Sequence, residues 1–151
     1  MKKKIVFLLI IFILVGCSKT SINLDDFIET AHMDGYIITS DIKSYEKYSY
    51  IKSVYYATSP EESYRIQFLE IENNDYAKKF FDYNKNEMEK FKTNNSYLKT
   101  KNISDYNLYH LETDDDYLLI IRSNNNIIYI ETSIDYINEI EEFLNDLKLE
   151  Y

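Results

Sequence analysis

The segment YLLIIRSNNNIIYIETS, residues 117–133, decides how the chain folds. Two short runs, Tyr117–Ser123 and Ile127–Ser133, are rich in β-branched and aromatic side chains. Between them Asn124, Asn125 and Asn126 supply residues that tolerate positive φ. The pattern predicts a β-hairpin. Leu118 to Ile121 and Ile127 to Ile130 are almost continuously apolar, which places that hairpin centrally in a sheet.

Working outward, the chain after the hairpin predicts a helix with Ile137, Ile140, Phe143, Leu144 and Leu147 as its buried stripe. Its start is marked either by a capping box between Thr132 and Asp135 or by Ser133 as the cap. On the other side, Asn107–Glu112 reads as a strand, and Lys92–Asp105 is polar without glycine or proline, so no boundary can be drawn in it. Asn74 and Asp75 open a second helix, with Ala77, Phe80, Phe81, Met88 and Phe91 on one stripe interrupted by Asn84. Lys52–Thr58 and Ser63–Ile71 read as strands joined at Ser59-Pro60-Glu61-Glu62, where proline presets φ for a turn. In the second strand Tyr64, Ile66, Phe68 and Glu70 alternate with Arg65, Gln67, Leu69 and Ile71, as expected for a sheet covered on one side. Asp41–Tyr50 is polar, tyrosine-rich and irregular, and Tyr36–Thr39 is a short strand.

A first helix is announced by Asn23 as N-cap, with Asp25 and Asp26 in the first turn and Leu24, Phe27, Ile28 and Ala31 on its apolar stripe. Gly35 stands where a left-handed C-terminal cap is needed. The expected fold is α+β: a mainly antiparallel sheet of about six strands with three helices, in the order αβββαβββα. The helices are expected on one face, and the two αβββ units look like an approximate duplication. A single domain is expected over residues 24–151.

Residues 1–23 read differently. Lys2, Lys3 and Lys4 precede an apolar run of 11 residues from Ile5 to Val15, which ends in Leu14-Val15-Gly16-Cys17 with the chain's one cysteine. As a helix the run spans roughly 16 Å, about half of a hydrocarbon core, and so has the length of an export leader. The alternative is an uncleaved anchor helix. Leu14-Val15-Gly16-Cys17 resembles the lipobox of bacterial lipoproteins, and the resemblance implies cleavage before Cys17 and a diacylglyceryl thioether on its sulfur. A lone cysteine in an exported chain has no internal disulfide partner, so lipidation gives it a use. Each buried methylene contributes about 0.8 kcal/mol, so two acyl chains anchor stably where one would not. The expected organisation is a leader over 1–16, a lipidated cysteine with a short tether over 17–23, then the domain. Ser18–Asn23, fully extended, reaches about 20 Å, which holds the domain close to the outer face of the cell membrane.

A helix ending in Gly35-Tyr36, a tyrosine-rich strand pair, the Ala77-x-x-Phe80-Phe81 helix and a terminal amphipathic helix are also similar to small exported proteins of Gram-positive bacteria. Lysine-, asparagine-, isoleucine- and tyrosine-heavy usage agrees with an AT-rich genome of that kind. This resemblance bears on fold and carries no active-site residues.

Without Lys2, Lys3 and Lys4, the 17 basic residues fall to 14 against 26 acidic ones, a formal charge of −12. So acidic a body is repelled by anionic headgroups and by nucleic acid, and membrane contact falls to the lipid on Cys17. The charge is uneven: Lys78–Lys101 is locally basic, whereas Ile103–Tyr151 is strongly acidic. Solvated faces account for both blocks; the alternative is a surface that orients the domain or receives a charged partner.

No residue set announces catalysis. His32 lies near a helix end and His110 in a strand near Glu112, and neither comes with the ligand spacing of a zinc site. Asp114-Asp115-Asp116 is the densest carboxylate cluster but lacks the spaced acids and glycine of a calcium loop, so a solvated hairpin tip is expected. There is no nucleophile elbow and no glycine loop for phosphate, so no metal or cofactor is expected. The remaining lead is tyrosine, with 16 residues and no tryptophan. Tyr45, Tyr48, Tyr50, Tyr55, Tyr56 and Tyr64 crowd one third of the domain. Tyrosine supplies rigid amphipathic contact area, although β propensity alone also places it on half-buried strands. The reading that follows is a non-enzymatic, membrane-anchored binding or accessory module for a protein, peptide or glycan. The alternatives are an envelope-acting hydrolase using acidic residues and a purely structural lipoprotein.

Overall fold

The computed structural model describes residues 21–149 and 151, so the leader, Cys17 and the start of the tether lie outside the described residues. The helices are α1 (Leu24–Met33), α2 (Asn74–Met88) and α3 (Ile137–Asp146). The strands are β1 (Ile37–Ser40), β2 (Ile51–Thr58), β3 (Arg65–Ile71), β4 (Tyr97–Ile103), β5 (Tyr106–Glu112), β6 (Asp116–Ser123) and β7 (Asn126–Ser133). They form one antiparallel sheet in the order β1-β2-β3-β7-β6-β5-β4. The α+β class and the central β6–β7 hairpin are as expected. Ser123 pairs with Asn126 across a two-residue turn whose Asn124 has φ 54°. Among the described residues no helix is long and apolar enough to cross a membrane.

Seven strands replace the expected six. The additional one, β4, has one half-buried residue among seven. It shows no alternation because it lies at the sheet edge, where neither face needs an apolar side chain. It also breaks the symmetry of the supposed duplication, since three strands follow α1 and four follow α2.

The helices occupy both faces, not one. Phe27 and Ala31 of α1 and Ile140, Phe143 and Leu144 of α3 pack on Phe68, Leu119, Ile121, Ile128 and Ile130. On the opposite face Ala77, Phe81 and Met88 of α2 pack on Leu69, Leu111, Leu118, Ile120 and Ile127. Consecutive residues of β6 therefore alternate between two cores, which explains why the strand is buried almost throughout. β3 is covered on both sides for the same reason, contrary to its one-sided reading.

Local signals fix the helix ends. Asn23 and Asn73 cap α1 and α2 by accepting from the backbone N–H of Asp26 and Tyr76. Ser133 caps the 3-10 turn that leads into α3, and Phe91, placed on the α2 stripe by spacing, lies beyond the helix and is 47 % exposed. The chain is already held at Ile22, which is buried and whose carbonyl accepts from Asn126 Nδ2 at 2.8 Å.

Candidate functional site: a tyrosine-lined cleft

The α2 sequence carries two stripes. Ala77, Phe81 and Met88 face the sheet, while Tyr76, Phe80 and Tyr83 recur at four- and three-residue steps along the flank. Opposite that flank runs the segment between β1 and β2. Asp41 organises it: its carboxylate accepts from the Ser44 N–H at 3.2 Å and hydroxyl at 2.5 Å. These bonds hold the Asp41 carboxyl below the usual carboxylate range. Successive backbone turns follow, with Tyr48 N–H donating to Tyr45 O at 2.8 Å and Ile51 N–H to Tyr48 O at 2.9 Å. They bring Tyr45, Tyr48 and Tyr50 to the same side.

Between helix and segment lies a half-open cleft of about 640 Å³. Its floor is Gln67 of β3 and Tyr129 of β7, which are register partners on the α2 face of the sheet. One wall is Tyr45, Tyr48 and Tyr50; the other is Tyr76, Lys79, Phe80, Tyr83 and Asn84. Tyr50 and Tyr76 bridge the two walls by stacking at 5.2 Å and 15°. From there the rings continue through Tyr48, 5.9 Å from Tyr50, to Tyr45, 6.4 Å further on. Gln67 Nε2 donates to Tyr45 Oη at 2.6 Å and to Tyr56 Oη at 3.4 Å. Tyr129 Oη donates to Glu131 Oε2 at 2.6 Å, and burial, then the Glu131 carboxylate, pushes that phenol's pKa up. Asn84 Nδ2 donates to Phe80 O at 2.8 Å, which leaves its amide oxygen as an acceptor.

Of the six tyrosines singled out in the sequence, the structure gathers Tyr45, Tyr48 and Tyr50 into this cleft and separates the other three. Tyr56 is buried beside Gln67 beneath the Arg65 guanidinium, 4.5 Å from its ring. Tyr55 and Tyr64 turn to the opposite face and pack on the α1–α3 core, where Tyr64 shares a 2.7 Å hydrogen bond with Tyr36 and stacks near Tyr136. Sequence reasoning missed Tyr76, Tyr83 and Tyr129. The spacing Tyr76, Phe80, Tyr83 was the available clue, since it forms a second aromatic stripe on a helix whose core stripe was already complete.

The other candidates are dispersed. His32 is exposed in the last turn of α1, and His110 is buried in β5 on the face away from the cleft. Asp114 and Asp115 are exposed in the β5–β6 turn, where Thr113 Oγ1 accepts from the backbone N–H of Asp115 and Asp116. Among the described residues no three His, Cys, Asp or Glu side chains converge as a metal ion requires. Among the described residues no carboxylate lines the cleft, so they place there no acid pair of the kind glycoside cleavage uses. A volume of this size, mostly aromatic walls and a few convergent polar groups are the features of a small-ligand site. The chain matches no protein-family model, no curated protein and no solved structure.

Proposed function

We propose that this protein is a lipid-anchored binding module on the outer face of the cell membrane, with the tyrosine cleft as its recognition site and no catalytic role. Diacylglyceryl on Cys17 would provide the anchor, and the short tether would present the domain near the bilayer. The observation that carries the binding reading is the cleft itself. Six tyrosines from three separate segments of chain converge on it, with Gln67 and Asn84 as amide partners. Burying rings merely for stability needs no cavity, yet here Tyr48 and Tyr83 remain 38 % and 65 % exposed at its rim.

Fragment screening by NMR on tyrosine-labelled protein tests this. Hits are expected to shift the rings of Tyr48, Tyr50, Tyr76 and Tyr83 together. Tyr48→Ala or Tyr83→Ala should weaken them about tenfold, since aromatic anchors dominate such sites, while the melting temperature stays within a few degrees. A screen whose hits fall elsewhere on the surface, or leave those four rings unmoved, would sink the assignment.

A further inference from the structure

We infer that the cleft takes a small, planar aromatic carboxylate, a step that rests on reading the cleft as the ligand site. Charge is the first argument. The chain holds 26 acidic residues, yet among the described residues none of them lines the cleft, and the charged lining group is Lys79. Lysines elsewhere along α2 are neutralised: Lys78 by Asp82 at 2.5 Å and Lys85 by Glu89 at 3.5 Å, with Lys90 just beyond held by Glu87 at 2.5 Å. Lys79 forms no salt bridge among the described residues; its ammonium lies 5.4 Å from the centre of the Tyr76 ring. Lys47, which is not part of the lining, lies 4.9 Å from the centre of the Tyr48 ring. An acidic protein thus keeps one cation, with no salt bridge among the described residues, on the wall of its aromatic cavity.

Shape and hydrogen bonding narrow the ligand further. The wall from Tyr45 to Tyr76 is a continuous run of ring faces and edges, against which a flat apolar body packs best. Tyr45 Oη accepts from Gln67 Nε2 and is also hydrogen-bonded to Tyr56, so the charged donor of the lining is Lys79. The Lys79 ammonium only donates, and a carboxylate, which only accepts, is its complementary head group. A neutral sugar would stack on tyrosine too, but it carries no charge to meet the Lys79 ammonium. The volume of about 640 Å³ suits one or two fused rings and not a folded partner.

Calorimetry on the full chain in dodecyl maltoside micelles decides this, with 2-naphthoate, 2-naphthamide and N-acetylglucosamine as probes. Naphthoate should bind about fivefold more tightly than naphthamide, the ratio expected of one exposed cation. The preference should vanish at about 1 M salt, where charges are screened beyond roughly 3 Å. Lys79→Gln should abolish the preference and leave naphthamide unchanged, whereas Tyr48→Ala should weaken both. Equal binding of the two naphthyl probes, or tighter binding of the sugar, overturns the carboxylate assignment while the cleft stands as a ligand site. Failure of all three probes overturns it as well; the site reading falls with it only if the fragment screen also leaves the cleft rings unmoved.

Discussion

Arg122 is 1 % exposed, and its burial is made tolerable by four neutral acceptors. Nε donates to Asn107 Oδ1 at 2.6 Å, Nη2 to Ser104 O at 2.9 Å, and Nη1 to Asn124 O at 3.1 Å and to Asn74 Oδ1. One guanidinium thereby ties the start of α2 to the β4–β5 and β6–β7 turns. In the sequence it is a lone cation in an apolar strand with nothing to announce this role. His110, 3 % exposed, is the opposite case. Its Nε2 lies 3.0 Å from Glu112 Oε1 without the alignment of a hydrogen bond, and burial, then Lys99, lowers its pKa to about 4. The ring is neutral at pH 7, so this contact is no ion pair there. An unfolded histidine titrates near 6.5, so between pH 6.5 and about 4 the unfolded chain binds the extra proton. Stability present above pH 6.5 is lost as pH falls through that window, by roughly 3 kcal/mol. Glu112 opposes it, because burial and Glu141 raise its pKa and so favour the fold at acid pH. Comparing His110→Phe with the native chain isolates the histidine: in urea unfolding at pH 7.0 and 4.5, the variant should lose about 2 kcal/mol less. Equal losses would exclude His110 as the source.

At the scale of elements, signals that act within a few residues were the most readable. Gly35 has φ +79°, and Tyr36 N–H donates to Ala31 O at 2.8 Å while Gly35 N–H donates to His32 O at 3.2 Å, closing α1 in a Schellman motif. A Cβ there would meet nothing within 4 Å, so the cost of Gly35→Ala is conformational and not steric. The substitution should destabilise by about 1 kcal/mol, seen as a lower urea midpoint with an unchanged slope. A neutral result would mean that α1 ends equally well without the left-handed residue. The Asn23 cap, the Ser59–Glu62 turn and the asparagine hairpin were legible for the same reason, whereas the cap of α2 falls on Asn73, one residue before the start read at Asn74 and Asp75. β4 was not: a strand held by one neighbour needs only backbone hydrogen bonds, and these leave no trace in side-chain pattern. The tyrosines show the same limit. Crowding in sequence marked Tyr45, Tyr48 and Tyr50, but Tyr129 is recruited from β7 by strand order alone.

At the scale of the whole molecule, one sheet carries a helical layer on each face, and the cleft opens where α2 leaves part of its face to the β1–β2 segment. The proposed lipid anchor belongs to this scale too, since it would set where the cleft is presented. Intact-mass analysis of the protein from its native envelope should give a chain beginning at Cys17 with a diacylglyceryl adduct. A mass that retains residues 1–16 with an unmodified thiol would remove the lipid anchor and leave the cleft argument untouched.

Composition and spacing alone determined the α+β class, the antiparallel hairpin at its centre, the three helices and the acidic balance of the chain. These follow from periodicity and from hydrogen bonds between near neighbours, both of which are written along the chain. Which face each helix covers, which tyrosines meet and where a lysine escapes its acidic neighbours were decided only by the tertiary structure. Those facts depend on strand order and on contacts between residues distant in sequence, and no local pattern encodes them.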